Sequence, residues 1–238
     1  PMPVGVINSS AITTAMKPGM GGIVAFADLP PGEEMSHVRE QVAYFRDRGQ
    51  PFEWKVYDFA RPSNLRFLLA DEDFTVGTRE AFMVFPLNHD RPPPPPGPAG
   101  VRIVRADSDE TIRHVVSVQQ AVWDRDFSWL ATVLRRTLTD RPDEIAIFCA
   151  YIGDRPIGTG WTDYPPRSSF ADLHGGAVLA ELRGQGVYSM LFHHRCEEAR
   201  RRGYRYLAVD AAPMSRPILE RKGFEFVCHT YPLRSTPQ

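Results

Sequence analysis

The chain has few cysteines, almost no net charge and no long apolar run. Its three cysteines, Cys149, Cys196 and Cys228, are an odd number and none is spaced C-x-x-C. That disfavours a disulfide framework or a thiolate metal cluster, and the apolar neighbours of each thiol predict small buried hydrophobes in a reducing compartment. With 28 basic and 29 acidic residues the formal charge is −1, which offers no electrostatic footprint for nucleic acid or an anionic membrane. No segment approaches the length of about 18 consecutive apolar residues that a membrane span needs, and no leader-like apolar run is seen, so a cytoplasmic protein with no membrane partner is expected. Two phosphate-binding signatures are incomplete. No Gly-Lys-Ser or Gly-Lys-Thr occurs, and Gly184-Gln-Gly186-Val-Tyr-Ser189 lacks the third glycine of a dinucleotide fingerprint.

Proline, by contrast, is plentiful, with 22 residues, and it clusters in Arg91-Pro-Pro-Pro-Pro-Pro-Gly-Pro-Ala-Gly100. Consecutive prolines favour a polyproline II spacer, so 92–99 reads as a linker between a domain at 1–91 and one at 100–238. A proline-rich recognition ligand is the alternative. Ahead of the linker, Gly22 to Asp28 reads as a strand. A helix capped by Ser36 follows, with Val38, Val42 and Phe45 on one face and its end at Gly49. Phe52 to Phe59 alternates like a strand, Leu65 to Phe74 reads as a helix, and Glu80 to Leu87 as a closing strand.

Beyond the linker, Val101 to Arg105 predicts a strand, and Asp107 with Glu110 a capping box ahead of Ile112, Val115, Val116 and Val118. A second helix over 127–138 would pack Trp129, Leu130, Val133 and Leu134. Strands at 144–152 and 155–164 meet at Gly153-Asp154, a tight hairpin signal, and 170–179 completes the meander. An amphipathic helix from Val187 to Arg202 ends at Gly203. Strand 204–210, a short helix ending in Lys222-Gly223-Phe224 and a last strand from Glu225 follow.

Within this pattern, strand 170–179 runs through a glycine-bearing turn into a helix, and that layout suits a pyrophosphate. Backbone approaches closely at Gly184 and Gly186, and the helix start presents N–H groups and a positive dipole end. Arg183-Gly184-Gln185-Gly186-Val187-Tyr188 resembles the acyl-CoA motif Arg/Gln-x-x-Gly-x-Gly/Ala of the GCN5-related N-acetyltransferases (GNAT). The likeness covers 170–226 and extends back to Val101, where the element order β-α-α-β-β-β-α-β-α-β is also the family's. Residues 1–91 are similar to the degenerate first half of two-domain members; an unrelated α+β domain would give the same pattern. The resemblance implies an α/β (α+β) GNAT fold, a mixed central sheet flanked by helices, with a second, degenerate N-terminal domain.

It also implies transfer of an acetyl or other acyl group from a CoA thioester, acetyl-CoA being the co-substrate, to an amine of a small molecule or peptide. Carried over by position, Gly176, Ala177 and Val178 fall against the pantetheine, and Arg183, Gly184, Gln185, Gly186, Val187, Tyr188 and Ser189 against the phosphates. Tyr188 stands where Gly or Ala is usual, which is harmless if its side chain points outward along the helix. An ammonium acceptor must lose a proton before it attacks. Asp172 and His174 are the candidate bases, sharing one face with Gly176 and Val178 by period two. Asp172 lies eleven residues before Arg183, where some members carry a glutamate base, and His174 is the more natural acceptor near neutrality. Both can equally be structural hydrogen-bonding groups, and Gly175-Gly176 beside them signals a bulge that would shift the facing by one residue. The tyrosine that many members use as acid corresponds to Leu219, which leaves Ser215 as the nearest hydroxyl, with Asp210 before it. A backbone N–H at about Val178 would stabilise the oxyanion.

His193, His194, Glu197 and Glu198 have a spacing that could hold zinc but read better as an i,i+4-paired outer face, so no metal is expected. The loop Trp123-Asp-Arg-Asp-Phe127 could receive a cationic amine. A non-catalytic acyl-CoA sensor and acyl transfer to a hydroxyl are the alternative functions, and a homodimer is left open.

Overall fold

The computed structural model describes residues 7–8, 12–17, 21–87 and 97–235. The run of five prolines at 92–96, on which the proposed linker rests, lies outside the described residues. By compactness the chain separates into two units, 1–83 with 210–238 and 84–209. Among the described residues no helix is long and apolar enough to cross a membrane.

The first unit holds β1 (Ile7–Asn8), β2 (Ile12–Lys17), β3 (Gly21–Ala27), α1 (Glu34–Arg46), β4 (Phe52–Tyr57), α2 (Leu65–Ala70), β5 (Thr75–Val76) and the start of β6 (Glu80–Pro86). From the C-terminal part it takes the end of β11 (Tyr206–Ala211), α6 (Arg216–Lys222) and β12 (Glu225–Ser235). Its strands run β1-β2-β3-β4-β12, with β3 parallel to β4 and β12 antiparallel to β4. The stripe Val38, Val42 and Phe45 of α1 and Leu65 and Leu69 of α2 close over Val24, Trp54 and Leu233. Two readings need correction. Ser36 lies inside α1, because the turn from Pro30 to Glu33 runs straight into the helix and Glu33 takes the cap position. The second helix stops at Ala70, short of Phe74, and the turn beyond it holds Asp73 in a left-handed conformation at φ 62° that a helix cannot continue through.

The second unit contains β7 (Val101–Arg105), α3 (Asp109–Trp123), α4 (Ser128–Asp140), β8 (Ile145–Ile152), β9 (Arg155–Asp163), β10 (Phe170–Val178) and α5 (Val187–Arg201), with the start of β11. Its strand order is β7-β8-β9-β10-β11, antiparallel except for the β10/β11 pair. From β7 to β12 the element order is the one read from the sequence. Alternation along β8 sorts the helices onto two faces. Ile145, Ile147, Cys149 and Tyr151 pack with Ile112, Val115 and Val116 of α3 and Leu130 and Leu134 of α4. The other face carries α5, where the His194 ring meets Phe148. Two details differ from the sequence reading. The capping box is Ser108 with Thr111, because the extended residue at the helix entrance is Ser108 and not Asp107. Trp129 is 43% exposed, and Thr137 takes the fourth buried place in the α4 stripe.

Candidate active site

β10 separates from β11 early. Parallel pairing covers only Phe170↔Tyr206, Ala171↔Leu207 and Asp172↔Ala208, so from Leu173 to Val178 no ladder to β11 forms. On its other edge β10 stays paired with β9 as far as Val178↔Gly158, with a bulge between His174 and Ala177. The bulge turns at Gly175, whose φ of +58° is left-handed and whose added Cβ would lie 1.8 Å from the Trp161 ring. Only glycine satisfies both constraints. The Gly175 carbonyl accepts a hydrogen bond from Gln119 Nε2 at 2.7 Å, and Gln119 Oε1 accepts one from Trp123 Nε1 at 3.0 Å. Gln119 is 2% exposed, a buried amide of α3 that ties the helix to the bulge.

An extra residue inverts the alternation of a strand, so Asp172 and His174 do not share a face with Gly176 and Val178. The four-residue face expected from period two is therefore corrected. His174 stacks on Trp161 (centroids 6.4 Å apart) and its Nε2 is 3.4 Å from an Asp163 carboxylate oxygen, on the side of α3 and α4. Asp172 stands opposite Asp163 in the ladder, on that same side. Gly176 and Val178 face α5, where a Cβ at Gly176 would meet the Tyr188 ring at 3.0 Å and one at Gly158 would meet Val178 and Leu191.

After Val178 the chain turns through 180–182 and enters α5 at Gly186, the N-cap, at φ 90°. The first helical bond runs from the Met190 N–H to the Gly186 carbonyl at 3.0 Å, which leaves the positive end of a 15-residue helix at Val187, Tyr188 and Ser189. Arg183 Nε donates to the Val178 carbonyl at 3.1 Å, and Gln185 Nε2 to the Glu181 carbonyl at 2.8 Å. Both side chains thereby brace the loop that carries Gly184 and Gly186. Tyr188 does not point outward along the helix: its ring lies against Gly176, because the first turn of α5 sits directly over the bulged strand.

The remaining candidates lie elsewhere. Ser215 occupies the cap position of α6 in the first unit, with no side-chain cap bond, and Leu219 is buried in that helix. Asp210, also in the first unit, forms an ion pair with Lys55 and accepts from Thr230 Oγ1 at 3.2 Å. Burial alone would lower the Lys55 ammonium, but the Asp210 carboxylate more than offsets it and holds Lys55 above its ordinary value. In α5 the glutamates pair with arginines rather than histidines: Glu197 with Arg200, and a largely buried Glu198 with Arg105, Arg201 and Arg202. The outer-face reading is corrected for Glu198, which the turn of the helix places over Arg105 of β7. Among the described residues no group of three or more His, Cys, Asp or Glu side chains could hold a metal ion. Asp126, in the loop considered for the acceptor, accepts from the Ser128 N–H and hydroxyl at the start of α4. The three cysteines are buried and none is in a disulfide, and burial pushes the Cys149 thiol up to about 11.

Residues 110–224 match the model of the acetyltransferase (GNAT) family. Residues 110–224 thus carry a GNAT-family domain. Solved structures carry the same fold. A GCN5-related N-acetyltransferase from Kribbella flavida is similar at 16% identity with a TM-score of 0.68, over 90% of this chain and 80% of that one. A second from Sphaerobacter thermophilus is similar at 16% identity and 0.65, over 96% and 77%. A tandem GNAT protein of the clavulanic acid biosynthesis pathway is similar at 15% identity and 0.65, over 95% and 78%. No curated protein matches the sequence. The GNAT fold, a mixed sheet flanked by helices, is thus the fold of this chain, and acyl transfer is the chemistry of its family.

Sequence reasoning missed two residues of the site. Gln119 lies in the apolar stripe of α3, and Arg195 in that of α5 at spacing four from Leu191 and Ala199, where a polar side chain has to be explained.

Proposed function

We propose that the chain transfers an acetyl or related acyl group from acyl-CoA to an amine of a small molecule or peptide by direct attack on the thioester. The observation that carries this reading is the early parting of β10 and β11. It leaves the β11 side of 173–178 without ladder bonds beside the bulge, next to a loop and helix start suited to a pyrophosphate. Gly176, Ala177 and Val178 would then run beside the pantetheine, with a backbone N–H near Val178 for the oxyanion, and 183–189 would hold the phosphates. Backbone donors fixed by the sheet need no reorganisation as charge develops on the thioester oxygen.

On this reading the acceptor ammonium gives its proton to the His174–Asp163 pair or to Asp172, on the strand face opposite Tyr188. The protonated imidazole would be stabilised by the Asp163 carboxylate 3.4 Å away. A CoA thiol is a tolerable leaving group, so Ser215 is needed as an acid only if it reaches the sulfur. The donor site is assigned to the second part of the chain alone, with one CoA per chain. Release of CoA from acetyl-CoA, measured over a panel of primary amines, tests the proposal. Acceptor-dependent release supports it; tight binding of CoA with no release over any amine or alcohol would establish a sensor instead.

A further inference from the structure

Arg195 is the one cation within the buried stripe of α5, at 1% exposure. Its guanidinium is fitted between two glycines. A Cβ at Gly160 of β9 would stand 3.0 Å from Cζ and Nη1, and one at Gly176 of β10 would stand 3.7 Å from Nη2. The Tyr188 ring lies over it, with its centroid 5.7 Å from Cζ. Nε and Nη2 are buried with no hydrogen-bond partner.

A guanidinium does not shed its proton to escape burial, and a buried cation without a partner is strongly unfavourable. Buried donors left unsatisfied call for a ligand or water. The planar fork of an arginine fits a carboxylate through two parallel bonds, and glycine at 160 and 176 lets the two strands lie close against the guanidinium. Its position adds the decisive point. Nη2 lies beside Gly176, 3.7 Å from where a Cβ would stand, in the bulged segment where the proposed function places the donor thioester.

We propose that Arg195 receives a carboxylate at the far end of the donor's acyl chain, so that the preferred donor is the CoA thioester of a short dicarboxylic acid, of the malonyl or succinyl kind. This rests on the acyltransferase reading above. The acceptor amine attacks the thioester carbonyl, the C–N bond forms and the C–S bond breaks. The CoA thiolate leaves, the base takes the ammonium proton, and the distal carboxylate stays on Arg195 unchanged. Entry of the chain requires the Tyr188 ring to turn away from Gly176.

The test compares succinyl-CoA with acetyl-CoA in the full chain, first by kcat/KM and then by thermal stabilisation at equal saturation with free CoA as reference. Succinyl-CoA should be favoured in both. Arg195→Met should lower the succinyl-to-acetyl ratio of kcat/KM by about a hundredfold, because a desolvated bidentate charge pair is lost. Arg195→Lys, which keeps the charge without the fork, should fall between. Arg195→Met removes an unpaired buried charge and should fold; if it does not, the donor preference of the unaltered protein still decides. Equal or greater preference for acetyl-CoA overturns the inference while leaving the acyltransferase reading intact, as does an unchanged ratio in Arg195→Met. Stabilisation of the free protein by chloride or acetate that equals the effect of succinyl-CoA would mean an inorganic-anion site and overturn it too. If no donor is turned over, the acyltransferase reading fails, and the thermal comparison alone decides whether the carboxylate binds.

Discussion

Gly175→Ala should cost far more stability than its chemistry suggests, and Gly184→Ala is its internal control. Both glycines have left-handed φ, +58° and +74°, so each substitution carries the penalty of about 1–2 kcal/mol for an L-residue in that region. They differ in surroundings. A Cβ at 184 would meet nothing within 4 Å, whereas one at 175 would be driven to 1.8 Å from the Trp161 ring, itself stacked with His174. Trp161 is packed against the α3 and α4 core and has little room to retreat, so overpacking should add about 1–3 kcal/mol. The expected totals are about 1–2 kcal/mol for Gly184→Ala and about 2–5 for Gly175→Ala. Urea unfolding read by circular dichroism gives both, from midpoint shifts at constant slope. Adding Trp161→Leu to Gly175→Ala should recover part of the difference, a coupling that a double-mutant cycle isolates. Equal costs for the two alanine variants, or no coupling to Trp161, would refute the account of the bulge as a glycine-only turn held against the tryptophan.

Three further outcomes follow from the site. Acetyl-CoA at about a hundredfold over its dissociation constant should stabilise the protein by roughly 2.7 kcal/mol in a thermal melt, and Gly186→Asp, which sets a carboxylate at the start of α5, should abolish the shift; survival of the shift would remove 186–189 from the donor site. His174→Gln or Asp172→Asn should lower turnover about a hundredfold and alter the pH–rate profile while CoA affinity stays nearly intact, and two unaltered profiles would place the base elsewhere. Burial raises the Glu198 carboxyl, but hydrogen bonds from Arg201 and Arg202 outweigh it and hold the group below its ordinary value. A depressed pKa means that its stabilisation is present above the unfolded value near 4.3 and is lost as the pH falls through the folded one. Glu198→Gln should therefore be less stable than the unaltered protein at neutral pH, with the gap closing in acid; a gap independent of pH would show that the ion pairs contribute nothing.

Much of the second unit was legible because its signals are local. Period-two runs bounded by Gly153, the capping region before α3, and glycines at the ends of helices depend on residues a few positions apart, and the motif at 183–188 lies within one turn and one helix start. The amphipathic helix read over 187–202 is legible for the same reason, with Val187, Leu191, Cys196 and Ala199 on its buried side. Caps slipped by one to three residues, from Asp107 to Ser108 and from Ser36 to Glu33, because neighbouring residues compete for the same backbone N–H and packing chooses between them. The sequence by itself determined the order of elements from β7 to β12 and the resemblance to the GNAT superfamily, since backbone propensity and side-chain period are properties of neighbours in the chain. Only the tertiary structure decided that His174 meets Asp163 while Gly176 meets Tyr188, and that Arg195 is buried between two glycines of different strands. One inserted residue at Gly175 reverses every later facing on β10, and which cation loses its solvent depends on which strands come to lie beneath the helix, a relation between segments that no local pattern encodes.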